Sequence, residues 1–404
     1  MKKYILLLVL SLLLVGCVKE PLTTKEKLKM IVASDIHYFL KDYYKDCDWF
    51  EDMMLQGDGK MVTYADEILD AFEQAIINEK PELVVLSGDL TFNGEKGSHE
   101  GLAKRLQKIQ DQGIQVAVLP GNHDIDNIYT KGYGKDDYIE VENINAKDFE
   151  FIYQNFGYKQ AVKKHKDSLS YVLSLNNDFT LVMLDTNHHE QTTGNSLSSG
   201  GSLPESTLNW TQKQLESIKK EGKTPLIVMH HNLAVHNDLL NAGYTINDNE
   251  KIADMFVKYH VPFVLSGHIH CQNIKQIKGI YDIASSSLLD APLQYGVIEL
   301  EKQHMSYHTQ SLQISVDSAE YFQKVSYNRM KENFVNQKDG EEALKTMSLI
   351  NYHYFAGTLG QIKDDLLKSK GYQILKNIDN EFTQNYLKSM MEDAQDQNHL
   401  DITF

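Results

Sequence analysis

Five apolar, largely β-branched runs in this chain stop on side chains that bind hard or borderline metal ions. This recurrence limits the possible folds more than any other feature. Met30-Ile31-Val32-Ala33 leads into Asp35-Ile36-His37, and Leu83-Val84-Val85-Leu86 into Gly88-Asp89. Val116-Ala117-Val118-Leu119 leads into Gly121-Asn122-His123-Asp124, and Leu226-Ile227-Val228 into Met229-His230-His231-Asn232. Val261-Pro262-Phe263-Val264-Leu265 leads into Gly267-His268-Ile269-His270. Short apolar β-branched runs are buried strands. Sheets that carry strand–helix–strand units build their sites at the carboxyl ends of the strands.

The segments between these runs fit that frame. Val62 to Lys80 is predicted as a helix with Tyr64, Ile68, Phe72 and Ile76 on one face, and Gly101 to Gln112 as a second helix stopped by Gly113. Residues 29–124 therefore alternate strand and helix, which requires parallel strands with helical crossovers. Leu169 to Leu175 and Phe179 to Leu184, joined by Asn176-Asn177-Asp178, read as a hairpin. Pro204 to Lys220 and Asn249 to Tyr259 read as helices, and Ile274 to Ile283 and Tyr295 to Leu300 as further strands. From Ala319 onward the apolar spacing is helical, as in Leu359, Ile362, Leu366 and Leu367 and again in Phe382, Tyr386, Leu387 and Met390. The expected organisation is a mixed α/β domain over 28–315 and a helical unit over 316–404, with a polar tail from Glu392 that is loose at its end. Four long insertions, 38–61, 125–168, 186–203 and 232–248, follow strands that end at the site or the hairpin strand ending at Leu184. Loops of this length are substrate-selecting rims or solvated decoration.

The amino-terminal residues belong to targeting rather than to the fold. Lys2-Lys3 precedes an apolar run from Ile5 to Val15, and Leu14-Val15-Gly16-Cys17 then resembles a bacterial lipobox. The expectation is a signal peptide over 1–16, lipidation of Cys17, and a polar tether over 17–27. An ordinary signal peptide or an uncleaved anchor is the competing reading. The lipidated form would sit on the outer face of a bacterial membrane. Cys47 and Cys271 do not form a disulfide framework and are expected to be unpaired thiols, with one bridge between them as the alternative.

Asp35, His37, Asp89, Asn122, His230, His268 and His270 offer nitrogen and oxygen donors without a thiolate, a set suited to Mn, Fe or Zn. Seven donors are too many for one tetrahedral ion and suit two ions that share a carboxylate. The net charge is −16, which argues against a basic nucleic-acid-binding surface. It is compatible with a small anionic substrate, because bound cations dominate the local field. Two such ions stabilise charge on phosphoryl oxygens and acidify a bridging water into a nucleophile. His123 is the candidate proton donor to the leaving oxygen, with Asp124 orienting it, against a structural histidine in a turn. His231 competes with His230 as a ligand or contacts substrate; His188, His189 and His99 are phosphate contacts or solvated loop histidines; Cys271 is a packing residue.

The ordered set Asp-x-His, Gly-Asp, Gly-Asn-His-Asp, His and Gly-His-x-His, spread from Leu28 to about Ile298, resembles the calcineurin-like metallophosphoesterases. The resemblance implies a β-sandwich flanked by helices. It also implies Asp35, His37 and His270 on one metal, Asn122, His230 and His268 on the other, and Asp89 as the bridge. Phe92 stands where purple acid phosphatases place a tyrosine ligand. The Gly-Asp run lacks the following arginines of Ser/Thr protein phosphatases, and residues 316–404 are too short for the substrate domain of secreted 5′-nucleotidases. The chain is most similar to bacterial surface-lipoprotein cyclic-nucleotide phosphodiesterases, which implies hydrolysis of phosphodiesters such as 2′,3′-cyclic nucleotides. A phosphomonoesterase of the same family, and a non-catalytic surface lipoprotein that binds metal or a host ligand, are the alternatives.

Overall fold

A computed structural model describes residues 19–188, 199–335 and 337–404. The signal peptide, Cys17 and His189 lie outside the described residues. The strands are β1 (Leu28–Ala33), β2 (Leu83–Leu86), β3 (Gln115–Val118), β4 (Gly132–Tyr133), β5 (Tyr138–Ile139), β6 (Lys163–Lys164), β7 (Tyr171–Ser174) and β8 (Phe179–Leu184). They continue with β9 (Thr224–Met229), β10 (Phe263–Ser266), β11 (Asn273–Ile277), β12 (Ile280–Ala284), β13 (Gln294–Glu301), β14 (His304–Ser311) and β15 (His399–Thr403).

Two mixed sheets result, in the orders β15-β14-β13-β1-β2-β3 and β11-β12-β10-β9-β8-β7-β6, with β4 and β5 as a separate ribbon. Period-two patterning explains how the sheets stack. Leu181, Met183, Val228, Phe263, Leu265 and Ile283 of the second sheet enter one apolar core with Val297, Met305 and Tyr307 of the first. The alternate residues Val182, Leu184, Ile227, Met229 and Val264 turn outward, onto Leu215 and Ile218 of helix Glu205–Lys220 and Ile252, Ala253 and Phe256 of helix Asn249–Lys258. Helices Ala65–Glu79 and Lys96–Asp111 contribute Ile68, Phe72, Leu102 and Leu106 to the core of the first sheet. The sandwich flanked by helices is therefore present.

β1, β2 and β3 run parallel, as the strand–helix alternation requires, and β8, β9, β10 and β12 are parallel in the second sheet. The run Ile274 to Ile283 is not one strand. Lys278 and Gly279 both adopt positive φ and turn it into the hairpin β11–β12.

The carboxyl-terminal region differs from the sequence expectation in one respect. Its helices are present, from Ser318–Met330 to Glu381–Glu392, around a third core that includes Leu344, Met347, Ile350 and Leu387. The tail is not loose: β15 pairs antiparallel with β14 and closes the edge of the first sheet. Among the described residues no helix is long and apolar enough to cross a membrane. Cys47 and Cys271 are buried free thiols, and Cys271 packs in the third core, as expected.

Candidate metal centre

Each ligand motif begins one to four residues beyond a strand end. Neighbouring motifs are tied by backbone hydrogen bonds that continue the sheet pairing. Asp35 N–H donates to Gly88 O (3.0 Å), His37 N–H to Asp89 O (2.9 Å), and Gly267 N–H to His230 O (3.0 Å). Leu288 N–H donates to Ser34 O (3.0 Å). The turns are tight enough that Asp35, His37, Asp89, His268 and His270 all adopt positive φ. That conformation costs a non-glycine residue about 1 kcal/mol or more and clusters at functional sites.

The side chains converge. His270 Nε2 lies 3.2 Å from His37 Nε2 and 3.2 Å from Asp35 Oδ1. The Asp89 Oδ2 atom is 3.7 Å from His37 Nε2 on one side and 3.4 Å from His230 Nε2 on the other, so one carboxylate faces both ligand sets. His230 Nε2 also lies 3.1 Å from Asn122 Oδ1. Donor atoms of Asp35, His37, Asp89 and His270, and of Asp89, His230 and His268, each come within 4.8 Å of one another. The two groups share Asp89.

Residues outside the motifs set the tautomers. His230 Nδ1 donates to Ser87 O (3.0 Å), which turns Nε2 toward Asp89. His268 Nε2 donates to Gly243 O (2.8 Å), leaving Nδ1 as the nitrogen that can meet a metal. His270 Nδ1 lies 2.9 Å from Asp290 Oδ2, a carboxylate–histidine pair of the kind that orients metal ligands. Asp35 Oδ1 is buried with no hydrogen-bond partner beyond the His270 Nε2 atom facing it at 3.2 Å. Orphaned buried acceptors of this kind call for an ion. Burial opposes ionisation of Asp89, yet the facing His230 and His123 hold its pKa well below the usual carboxylate range. For His270, burial is outweighed by the Asp35 and Asp290 carboxylates, which push the pKa up to about 10. Such a charge-dense pocket without thiolates fits two divalent ions.

His123 borders the centre, its ring edge-on to His37 at 4.9 Å between centroids. Its Nδ1 donates to Phe92 O (2.9 Å) and also faces Asn93 Oδ1 at 3.1 Å. The orienting role expected of Asp124 is corrected here. The Asp124 carboxylate accepts from Leu90 N–H (3.0 Å), Thr91 N–H (2.9 Å), Thr91 Oγ1 (2.9 Å) and Gly121 N–H (2.8 Å). It is a clamp between the Gly88-Asp89 and Gly121-Asn122 turns. Burial and the nearby Asp89 carboxylate push its pKa up to about 7, while four donors favour the charged form.

Two other histidines, His99 and His231, are also structural. His99 is on helix Lys96–Asp111, fully buried, between Tyr153 Oη (2.9 Å) and Asp124 O (2.9 Å). His231 is fully buried, between Thr186 Oγ1 (2.7 Å) and Ser199 O (3.0 Å), so it neither binds metal nor faces substrate. His188 lies 3.1 Å from Ser202 Oγ. Sequence reasoning missed Asp290 and Lys60. Lys60, in the first long insertion, is 7% exposed and reaches Asp58 Oδ2 at 2.7 Å.

The helical unit touches the loops that rim this centre. Asn328 Nδ2 donates to Leu55 O (3.3 Å), Asn237 Nδ2 to Tyr354 Oη (2.9 Å), and Gln272 Nε2 to Gln397 O (2.8 Å).

Comparison with known proteins agrees with this geometry. Residues 303–397 match a domain described as the C-terminal domain of cyclic nucleotide phosphodiesterase. A relative from Arcobacter nitrofigilis named "Probable glycerophosphodiester phosphodiesterase GpdQ" is 26% identical over 231 residues, covering 54% of this chain and 69% of that protein. One from Ruthia magnifica subsp. Calyptogena magnifica, named "Probable cyclic nucleotide phosphodiesterase", is 24% identical over 196 residues, covering 48% of this chain and 64% of that protein. A dimetal phosphatase from Danio rerio superposes with a TM-score of 0.51 at 14% identity, covering 70% of this chain and 96% of that one, and shares the fold. Residues 28–272, more than half of the chain, match the family described as Calcineurin-like phosphoesterase, and the chain belongs to that family.

Proposed function

We propose that this protein is a dinuclear-metal phosphodiesterase, with 2′,3′-cyclic nucleotides as the first substrates to test, held on the outer face of a bacterial membrane through a lipidated Cys17. The observation that carries the diester preference is the match of residues 303–397 to the C-terminal domain of cyclic nucleotide phosphodiesterase. The relatives named as phosphodiesterases support it. The donor set suits Mn, Fe or Zn. Asp35, His37 and His270 would hold one ion, Asn122, His230 and His268 the other, and Asp89 both. When bound, the ions supply charge stabilisation for phosphoryl oxygens and a water acidified toward neutral pH.

The remaining chemistry belongs to side chains of this chain. The leaving oxygen needs a proton as its bond to phosphorus breaks. With Nδ1–H committed to Phe92 O, His123 would give that proton from Nε2 as the imidazolium, a form that burial disfavours and the Asp89 carboxylate favours. Asp124 fixes the turn that carries Asn122 and His123 against the turn that carries Asp89, so the proton donor and the shared ligand keep their spacing.

The test compares bis(p-nitrophenyl) phosphate, p-nitrophenyl phosphate and 2′,3′-cyclic AMP with Mn²⁺, against metal-only controls. Higher kcat/KM on the diesters is expected. Preferential turnover of the monoester would make the protein a phosphatase, and bound metal without turnover would make it a binding module.

A further inference from the structure

Lys60 is the second-last residue of the insertion over 38–61, and its place is set by contacts of its two neighbours. Met61 N–H donates to Leu289 O (2.9 Å), beside Asp290. A Cβ on Gly59 would lie 3.2 Å from Asp290 Oδ1 and 3.0 Å from the Phe322 ring of helix Ser318–Met330. The segment is therefore pressed between the carboxylate that orients His270 and the helical unit. Asp58 is exposed, while Lys60 is buried. Among the described residues, Asp58 Oδ2 is the one acceptor within hydrogen-bond distance of Lys60 Nζ. An ammonium has three donors, so two N–H groups of a buried cation lack a protein acceptor. Leaving such groups unpaired is costly. Gly59 and Met61, on either side of Lys60, are thus both held against Leu289 and Asp290, and Asp290 Oδ2 meets His270 Nδ1 at 2.9 Å, so the segment that carries this cation borders the ligand set. The Asp58, Asp290 and Asp89 carboxylates offset the burial of this ammonium, and an anionic substrate at the centre would supply the acceptor that its remaining N–H groups lack.

We propose that Lys60 is a substrate-binding residue whose ammonium takes a non-bridging oxygen of the phosphate ester held at the dinuclear centre, with Asp58 as the residue that positions it. This inference rests on the phosphoester reading of the site but not on diester preference. The experiment uses the full chain loaded with Mn²⁺ and three variants, Lys60→Met, Lys60→Gln and Lys60→Arg. Bound metal per chain, the Kd of inorganic phosphate by calorimetry, and kcat and KM for bis(p-nitrophenyl) phosphate are measured for each. A charge-assisted hydrogen bond contributes about 1.5–3 kcal/mol, so the phosphate Kd and KM should rise about 10–100-fold in the Met and Gln variants. Metal content should stay at the wild-type level, kcat should change less than KM, and Lys60→Arg should recover most of the phosphate affinity. Unchanged phosphate affinity in the Met and Gln variants would overturn the proposal. So would loss of metal from all three variants, which makes Lys60 a structural residue. Failure of the diester reading appears separately, as wild-type preference for the monoester.

Discussion

Gly121 precedes Asn122, and the reason lies across the site. A Cβ built on Gly121 would sit 2.1 Å from Asp89 Oδ1 and 2.2 Å from Asp89 N. Non-bonded carbon and oxygen prefer about 3.5 Å, so Gly121→Ala demands a displacement on the order of 1 Å. Neither partner can give freely. The Gly121 backbone is pinned by its N–H to Asp124 Oδ2 (2.8 Å), and Asp89 Oδ1 accepts from His123 N–H (2.9 Å). The overlap must therefore fall on Asp89, on its backbone nitrogen as well as on the carboxylate that faces both metal groups. Overpacking of this kind costs about 1–3 kcal/mol of stability, which a domain of this size tolerates. The same movement is decisive for chemistry, because misplacing a reacting group by about 1 Å costs on the order of 10²-fold in rate. Gly121→Ala is expected to fold, to lose metal from both positions together, and to lose at least about 10²-fold in kcat/KM. The assay is metal analysis after gel filtration beside far-UV circular dichroism and turnover of bis(p-nitrophenyl) phosphate. Two ions retained with turnover within about threefold of wild type would refute the steric argument.

Three further outcomes follow from the site. Asp290→Asn should weaken metal binding at the His270 position by about 10–100-fold and leave the His230–His268 position occupied; calorimetric titration that finds both positions weakened equally would contradict the pairing seen here. His123→Ala should keep its metal content and lower kcat by about 10²–10⁴-fold, more for poor leaving groups than for p-nitrophenolate; an equal loss for both would remove the acid role. Glu95, whose Oε1 is buried without a partner, has its pKa pushed up to about 8 by burial. Its folded pKa thus lies above the unfolded value, so the stability it confers is full below the unfolded pKa and is lost as pH rises through about 8. Glu95→Gln should therefore raise the melting temperature relative to wild type at pH 9 and not at pH 4, and parallel melting curves across that range would count against it.

The ligands were legible because each sits just past an apolar run, where the backbone leaves the sheet, so chain position and spatial position coincide. What stayed hidden lacks that coincidence. Asp290 reaches His270 from a segment with no periodic pattern, and Lys60 is one lysine within a long insertion; only the folded geometry gives either a meaning. Asp124 was misread because it adjoins His123 in the chain. In a tight turn successive side chains diverge, and its carboxylate turned back onto four donors instead. His399–Thr403 escaped notice because it is an edge strand, where backbone pairing does the holding and polar side chains are tolerated, and its neighbour His304–Ser311 escaped because most of its side chains are polar. The hairpin at Lys278-Gly279 escaped because isoleucines recur from Ile274 to Ile283 and read as strand straight across the turn.

That edge also bears on how the two family matches relate. The match at 303–397 begins in the loop before β14, inside the first sheet, continues through the helices, and ends just before β15 returns the chain to that sheet. The helices therefore hang from two adjacent strands rather than from a linker. Between those strands they reach Leu55 near Lys60, Asn237 in the loop that carries Gly243 and Tyr244, and Gln272 just beyond His270. Gly243 O holds His268 and the Tyr244 ring packs on it at 5.2 Å between centroids. Three loops that shape the mouth of the metal centre are thus fixed against one helical body. The sheets carry the turns that bear the candidate ligands, and the helical unit holds the loops that pack beside those turns.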